Sequence, residues 1–498
     1  MLLSKIISFL SDKNLVEVIH NFNVENDVEI SALSCDSREC GRGTLFFTKG
    51  VNFKAEYLDK AVESGACAYV SEKDYGVSIP VIIVGNLRKV MPEAANFFYS
   101  YPTERFDLFG ITGTKGKSSC AYMIKSIFDT EFGGENTGII STNEALCGST
   151  KLKKSGTTPE ALELYGILNK FAKKPVKAAV MEVSSQGLWY DRVNGIKYKA
   201  GVFLNLSPDH ISPTEHKSFE EYKEAKKRLF AMCECSVINA DDPYAEEMIT
   251  AAKFGKILTF SLEGKGDCSV FDLVSDKDGT TFSFKGLGVE LKNLRLNLPG
   301  RFNVCNAAAA IICALIEGVS HESIRKGLEK TVIAGRLEKM EKNGITVLVD
   351  YAHNGASFKA IFDYVDEFFP KSKKICLFGC TGNKALDRRK EIPEVAGNRS
   401  DLIVMTSDDP AFENPEDIFH EVEIELKKYP APYVYIEDRG EAVEFAIETA
   451  KSGDIVILAG KGHEKTQIVG GKLVPYKGDM QAAEEKLAQK EREEAKKA

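Results

Sequence analysis

Short runs of β-branched and apolar residues recur along the chain, at 106–111, 178–183, 201–206, 345–349, 375–378, 402–405 and 455–459. Runs that are apolar throughout, rather than alternating, fit strands covered on both faces. Helical spacing fills the gaps between them: Ala121, Ile124 and Phe128 share one side of a segment from Ser118 to Phe128. Strand alternating with helix predicts an α/β fold on mainly parallel or mixed sheets. The longest plain apolar run, Ala307 to Ile316, is half the length that a membrane span needs and reads as a buried helix segment.

Two breaks divide this pattern. Tyr101-Pro102-Thr103 precedes one strand, and Ile333-Ala334-Gly335-Arg336 follows a long helical region. Three domains are therefore expected, at 1–105, 106–333 and 334–498, each of ordinary size. The tail from Gln481 to Ala498, rich in Ala, Glu and Lys, reads as a solvated helix.

Charge narrows the partners. The 65 Lys and Arg against 73 Asp and Glu give −8, so no basic field advertises nucleic acid or an anionic membrane. An anionic ligand needs a local site. Ser11-Asp12-Lys13-Asn14 interrupts the first apolar stretch before a signal-peptide core can form. The twelve Cys lack disulfide-scaffold or zinc-ligand spacing, which fits reduced thiols in a cytoplasm, with Cys233 and Cys235 structural.

The local site is legible at Gly110-Ile111-Thr112-Gly113-Thr114-Lys115-Gly116-Lys117-Ser118-Ser119, between a predicted strand and a predicted helix. Glycines let backbone N–H groups curl around phosphate oxygens, Lys117 supplies charge to the terminal phosphates, and Ser118 is placed for Mg²⁺. The ordinary P-loop pattern requires glycine at position 111, which is Ile here, so the common kinase and GTPase form is missed. Glu182 in Met181-Glu182-Val183-Ser184-Ser185 and His210 in Asn205-Leu206-Ser207-Pro208-Asp209-His210 each end a predicted strand. In a parallel sheet such ends share the phosphate side, and both are candidate metal ligands, although a single His is more often structural. The segment Glu221 to Phe230 reads locally as a charged amphipathic helix in which no Lys stands out. Asn303 either caps the Ala-rich helix that follows it or faces a ligand.

Gly113-Thr114-Lys115-Gly116-Lys117-Ser118 resembles the G-T-x-G-K-[ST] loop of the Mur ligases, ATP-dependent enzymes that add amino acids to UDP-N-acetylmuramoyl precursors of the bacterial cell wall. Folylpolyglutamate ligases share that loop. Further resemblances follow in order: M-E-V-S-S and N-L-S-x-D-H, whose Glu and His hold magnesium; Y-x-x-A-K-x-x-L-F, which aligns Lys226 with a lysine carbamylated by CO₂; N-A-D-D at 239–242; and G-x-F-N-x-x-N, which places Asn303 near adenine. By the same resemblance Gly113 to Ser119, Asn303, Arg336 and Asp350 bind ATP, and domain closure completes the site. Ser118, Glu182, His210 and carbamylated Lys226 hold magnesium, and Lys117, Glu182, His210 and Lys226 are catalytic.

Near the N-terminus, Ser34-Cys35-Asp36-Ser37-Arg38 and Gly43-Thr44-Leu45-Phe46-Phe47 resemble the uridine-binding domain of the MurE type, which adds the third residue of the stem peptide and which folate ligases lack. This implies that Cys35, Ser37, Val51, Asn52, Phe53, Thr157, Thr158, Ser184 and Arg192 bind the UDP-muramoyl substrate. It also implies a uridine-binding N-terminal domain, a central P-loop-like ATPase domain and a Rossmann-like C-terminal domain. Lys384, Asp408, Asp409, Pro410, Ala411, Gly460 and Glu464 are the implied amino-acid site. Enzymes that add meso-diaminopimelate resemble D-N-P-R, whereas here the motif is Asp408-Asp409-Pro410-Ala411. Without the Arg fork a distal carboxylate meets like charge, so a cationic diamino acid, above all L-lysine, is expected, ahead of D-lysine, ornithine or diaminopimelate. Lys384 stands where an Arg often holds the α-carboxylate, so that contact is expected to be monodentate or to come from Arg388 or Arg389. The implied enzyme is a cytoplasmic monomer that joins UDP-N-acetylmuramoyl-L-alanyl-D-glutamate to the diamino acid with ATP and Mg²⁺. A phosphate-transferring kinase and a non-catalytic binder of UDP-muramoyl peptides are the competing classes.

Overall fold

The computed structural model describes residues 1–50, 53–212, 215–253 and 255–497. Two compact units divide them: Met1–Val274 with Thr280–Asn297 and Arg301–Thr331, and Val332–Ala498 with Ser275–Gly279 and Leu298–Gly300. The first unit holds two sheets. A five-stranded sheet runs in the order Val18–His20, Val81–Ile83, Ala66–Ser71, Thr44–Phe47, Ala32–Ser34, parallel except for its first pair. The larger sheet is parallel through its middle. There Asp107–Thr112 lies between Tyr198–Phe203 on one side and Ala178–Glu182 on the other.

Those central strands are the apolar runs of the sequence, and helices cover them. Lys117–Phe132 buries Cys120, Ala121, Met123, Ile124, Ile127 and Phe128, and Arg301–Ile316 is buried over most of its length. Asp107–Thr112 is also where strand order reverses: the chain next builds Thr137–Ile140, then returns to insert Ala178–Glu182 between them. The crevice beyond the carboxyl ends at such a switch point is the usual ligand position in an open α/β sheet. No described helix is long and apolar enough to cross a membrane.

The second unit carries a six-stranded sheet ordered Glu338–Lys342, Ile345–Asp350, Ile455–Ala459, Lys374–Phe378, Leu402–Met405, Tyr433–Tyr435, parallel except for its first pair. Its C-terminal helix, Asp479–Lys497, corrects the reading of the tail as simply solvated. Ala482, Ala483 and Leu487 have no exposed surface and pack with Ala442, Val443 and Val456. These apolar residues, with Met480 beside them and a buried ion pair from Asp479 to Arg439, dock the helix. All twelve cysteines are free.

Candidate active site

The phosphate loop leaves the strand at Gly113 and enters the helix at Gly116, both with positive φ (+155° and +87°). A Cβ on Gly116 would lie 2.5 Å from Asn306 Oδ1, so the position lacks room as well as ordinary backbone geometry. The segment after Tyr198–Phe203 holds the loop in place. Thr114 N–H donates to the Asn205 carbonyl (2.9 Å), Lys115 N–H to Asn205 Oδ1 (2.9 Å), and Ser207 N–H to Thr114 Oγ1 (3.0 Å). Lys115 also pairs with Asp209 at 3.1 Å. Burial opposes the charge of Asp209, but Lys115 and His210 outweigh it and hold its carboxyl below the ordinary range.

Two lysines converge on one carbonyl of this loop. Lys117 Nζ donates to Gly113 O at 2.8 Å and to Thr114 O at 3.1 Å. Lys226, on the helix Phe219–Lys227, is 1% exposed, donates to the same Gly113 O at 2.9 Å, and lies 4.5 Å above the Tyr222 ring. Burial pushes the Lys226 amine well below the usual lysine range, and repulsion from Lys117 adds to this, with Asp209 opposing.

Glu182 ends its strand buried, accepting Thr142 N–H at 2.8 Å and the Thr142 hydroxyl at 3.1 Å. His210 is half exposed at φ +56°, its Nδ1 2.7 Å from Glu215 Oε1 and its ring 6.0 Å from Tyr222. Among the described residues, the grouping of His, Cys, Asp and Glu compact enough for a metal is Glu220, Glu224 and Glu247, and it does not include Glu182 or His210. Lys223 already neutralises two of its members, at 3.0 Å from Glu220 and 2.7 Å from Glu247.

At the backbone of Glu182, Thr158 Oγ1 donates to the Glu182 carbonyl (3.0 Å) and accepts Ser184 N–H (2.9 Å). Ser184 caps the helix Ser185–Trp189. Arg192 donates to Thr158 O (3.0 Å) and pairs with Glu160 (2.6 Å), which also holds Lys49 (2.5 Å). A cavity of about 430 Å³ opens beside Thr142 and Thr157, lined as well by Lys151, Lys153 and Lys154. Cys35 is half buried near Lys49 and Glu160, and burial raises its thiol. Ser37 opens a short turn capped by Asp36, and Phe53 packs among Phe46, Tyr57 and Tyr75. Val51 and Asn52 lie outside the described residues.

In the second unit, Arg336 lies 5.0 Å over the Tyr351 ring, and Asp350 accepts Leu337 N–H at 2.7 Å. Burial raises the Asp350 carboxyl, with Arg336 opposing. The Asp408-Asp409-Pro410-Ala411 loop meets Lys461, a fully buried lysine whose Nζ is 2.5 Å from Asp409, 2.9 Å from Glu464 and 3.5 Å from Asp408. Burial works against this ammonium, yet the three carboxylates more than compensate and raise its pKa. Gly460, at φ +109°, sits against Asp408, where a Cβ would be 2.6 Å from Oδ2. Four non-glycine residues of the two facing loops, Asn383, Ala385, Asp409 and Ala411, have φ between +47° and +58°. Backbone strain concentrated in this way is characteristic of ligand loops. Lys384 is exposed. Arg389 is buried and held by Glu413 (2.7 Å), Glu421 (2.6 Å) and Thr381 O (3.2 Å), which removes it as a substitute for an α-carboxylate ligand and leaves Lys384 itself or the half-buried Arg388.

The sequence profile of the Mur ligase middle domain matches residues 111–314, and that of the Mur ligase glutamate ligase domain matches residues 335–462. A UDP-N-acetylmuramoyl-L-alanyl-D-glutamate–L-lysine ligase of Enterococcus faecalis is 38% identical over 465 residues, 92% of this chain and 91% of the relative. A corresponding 2,6-diaminopimelate ligase of Caldanaerobacter subterraneus subsp. tengcongensis is 36% identical over 483 residues, 95% and 98% of the two chains. The chain belongs to the Mur ligase family. Among solved structures, a UDP-N-acetylmuramoyl-L-alanyl-D-glutamate–2,6-diaminopimelate ligase superposes with TM-score 0.65 at 28% identity, covering 93% of this chain and 95% of the other. A Mycobacterium tuberculosis folylpolyglutamate synthase complexed with ADP shares the fold at 18% identity and TM-score 0.62, but covers only 74% of this chain.

Two features of this Mur ligase are not legible in the sequence pattern. His216 is buried, its Nε2 3.0 Å from Ser185 Oγ and its Nδ1 3.4 Å from Glu221, so it ties the Ser184–Ser185 turn to the helix of Lys226. Burial lowers its pKa, and the six-residue spacing from His210 was the available signal. The other is Lys461, two of whose three carboxylate partners, Asp408 and Asp409, come from a different loop. Asn303 is not a cap: the helix begins two residues earlier, at Arg301, and Asn303 is buried in its first turn.

Proposed function

We propose that this Mur ligase is of the MurE type and joins L-lysine to UDP-N-acetylmuramoyl-L-alanyl-D-glutamate with ATP, as a cytoplasmic monomer organised in functional domains 1–105, 106–333 and 334–498. The observation that carries the ligase reading is the shared Gly113 carbonyl, with Lys117 at 2.8 Å and the buried Lys226 at 2.9 Å. Two ammonium groups on one acceptor repel, and the buried one gives up its proton more readily. A neutral amine is the form that attacks CO₂: the N–C bond forms, a proton leaves, and the product is an anion beside Lys117 that keeps an N–H for Gly113.

A carboxylate is a poor acyl donor, so its oxygen first attacks the γ-phosphorus of ATP, the bond to the bridging β,γ-oxygen breaks, and ADP leaves. The amine of the incoming amino acid then adds to the acyl phosphate, and phosphate leaves from the tetrahedral intermediate. Lys117 and the loop N–H groups from Gly113 to Ser119 neutralise and orient the phosphoryl oxygens. Arg336, Asp350 and Asn303 are further nucleotide contacts. Ser118, Glu182, His210 and carbamylated Lys226 would hold Mg²⁺: buried hydroxyl and carboxylate oxygens suit a hard cation, which supplies charge neutralisation at the phosphates. Cys35, Ser37, Val51, Asn52, Phe53, Thr157, Thr158, Ser184 and Arg192 bind the UDP-muramoyl substrate, and Lys384, Asp408, Asp409, Pro410, Ala411, Gly460 and Glu464 the amino acid.

The choice of amino acid rests on charge, since relatives of nearly equal identity are named for L-lysine and for diaminopimelate. Three carboxylates, of Asp408, Asp409 and Glu464, surround the single Lys461 ammonium and leave the cluster net negative. Such a cluster attracts a distal ammonium and repels a distal carboxylate. Phosphate release measured with UDP-muramoyl dipeptide and a panel of L-lysine, D-lysine, L-ornithine, meso-diaminopimelate and L-alanine tests the proposal. L-lysine gives the highest kcat/KM; a preference for diaminopimelate overturns the amino-acid assignment, and release that needs no UDP-muramoyl dipeptide overturns the ligase.

A further inference from the structure

Lys461 has no exposed surface, yet it is surrounded by acid from two loops. Asp409 Oδ1 lies 2.5 Å from its Nζ, Glu464 Oε2 2.9 Å and Asp408 Oδ1 3.5 Å. Two of the carboxylates are also anchored by hydrogen bonds from elsewhere in the same unit, and the third faces a further cation. Asp409 Oδ1 accepts Ile468 N–H at 2.9 Å, Glu464 Oε1 accepts the Tyr351 hydroxyl at 3.1 Å, and Asp408 lies in the field of Arg439, whose own salt bridge is with buried Asp479. Without an internal cation, three carboxylates drawn this close would repel one another at low dielectric.

We propose that Lys461 is a positioning residue for amino-acid specificity: its ammonium is the built-in counter-ion that gathers Asp408, Asp409 and Glu464 into one preformed anionic cradle for the side-chain ammonium of the incoming amino acid. This deepens the cationic amino-acid reading of the proposed function and rests on it. Lys461 donates hydrogen bonds to Asp409 and Glu464, pairs with Asp408 and is closed to solvent, so its part is to fix the acceptors. Preorganised acceptors bind a cation without reorganising at the moment of binding. The role also separates two effects of the same residue. Lys461 lowers the negative charge of the pocket, which weakens attraction for a cation at long range, but it fixes where that charge is presented, which governs discrimination at contact.

The test compares L-lysine with L-norleucine, which has the same carbon chain but lacks the terminal ammonium, in the full-length enzyme. Wild type prefers L-lysine in kcat/KM. In Lys461→Met that preference falls by roughly tenfold or more, mainly through a higher KM for L-lysine, while KM for ATP changes by less than about twofold. Lys461→Arg keeps most of the preference. Methylammonium restores L-lysine selectivity to Lys461→Ala, whereas methanol, of similar size but uncharged, does not. An equal loss for both amino acids in Lys461→Met, or rescue by methanol, would show that Lys461 only fills space and would overturn the proposal. If wild type itself fails to prefer L-lysine to L-norleucine, the cationic amino-acid reading fails. Thermal unfolding then still tests the counter-ion: Lys461→Met is strongly destabilised, and adding Asp409→Asn recovers part of the loss, whereas additive losses contradict it. That cycle also serves if Lys461→Met is too unstable to assay, because the double variant is expected to fold better.

Discussion

Lys226 and Lys461 are equally buried, at 1% and 0% exposure, and the protein treats them in opposite ways. Lys226 meets a backbone carbonyl, an aromatic ring and another lysine, with Asp209 as its opposing charge; its pKa falls. Lys461 meets three carboxylates, and its pKa rises. Burial alone therefore does not fix the charge of a lysine. The neighbours do, and they give the two sites different roles. An amine whose ammonium form is disfavoured beside the phosphate loop suits the proposed carbamylation, whereas an ammonium favoured by three carboxylates suits the proposed holding of those acids.

The hardest test of this contrast is to remove the charged member of the Gly113 pair. Lys117→Ala lowers ATP-dependent ligation by about 10³-fold or more while circular dichroism and the unfolding midpoint stay near wild type, because its Nζ serves loop carbonyls and phosphates rather than a core. Near-normal turnover by the folded variant would remove the phosphate role. Lys226→Ala falls by a comparable or slightly smaller factor, on the order of 10² to 10³, and short carboxylic acids such as acetate or propionate restore part of the rate by supplying the missing oxygen donor. Loss without rescue would leave Lys226 a packing residue only.

At the other site the expected effect is smaller and concerns choice rather than rate. Ala411→Arg introduces the fork that D-N-P-R enzymes carry, and the ratio of kcat/KM for meso-diaminopimelate to that for L-lysine should rise by about 10- to 100-fold. The left-handed φ of Ala411, +55°, is retained by a backbone pinned on both sides: its N–H donates to Ile468 O at 2.9 Å and its carbonyl accepts Gly471 N–H at 3.3 Å. An unchanged ratio would mean that residue 411 does not face the distal group of the amino acid.

What the sequence made legible follows from how local each signal is. The strand at 106–111 is Asp107–Thr112 in the fold, and the run at 455–459 is Ile455–Ala459, because a strand buried on both faces must be apolar throughout. The phosphate loop was equally plain, since its glycines and lysine are contiguous. The antiparallel hairpin Ala145–Cys147 and Thr150–Leu152 gave no such run, being short and partly exposed. Lys226 stood out only through resemblance, because its burial depends on Gly113 and Tyr222 meeting it from distant or neighbouring turns. Lys461 and His216 did not stand out, since their partners, Asp409 and Ser185, lie 52 and 31 residues away. Charge state is a tertiary property, and sequence spacing does not report it.

The smallest effect is the most direct reading of the comparison. An unfolded Lys226 titrates near 10.4, whereas burial lowers its pKa in the fold. Between the folded and the unfolded value the unfolded chain binds more protons, so stability rises with pH through that window, and the full penalty of burying the amine is felt below it. Lys226→Met, which keeps the apolar stem and removes the titrating group, is therefore stabilising in CO₂-free buffer near neutral pH, by on the order of 1 kcal/mol. The gain shrinks as pH rises toward the ordinary lysine value, where wild type no longer has to discharge its amine to fold. Lys461→Met has the opposite sign at neutral pH, because there the fold stabilises the ammonium. Unfolding midpoints of the two variants and wild type, measured from about pH 7 to about pH 10 with and without bicarbonate, decide it. Bicarbonate should raise the wild-type midpoint toward that of Lys226→Met and leave the variant unchanged; destabilisation by Lys226→Met at every pH would mean that the amine is held in the fold by more than Gly113 and Tyr222.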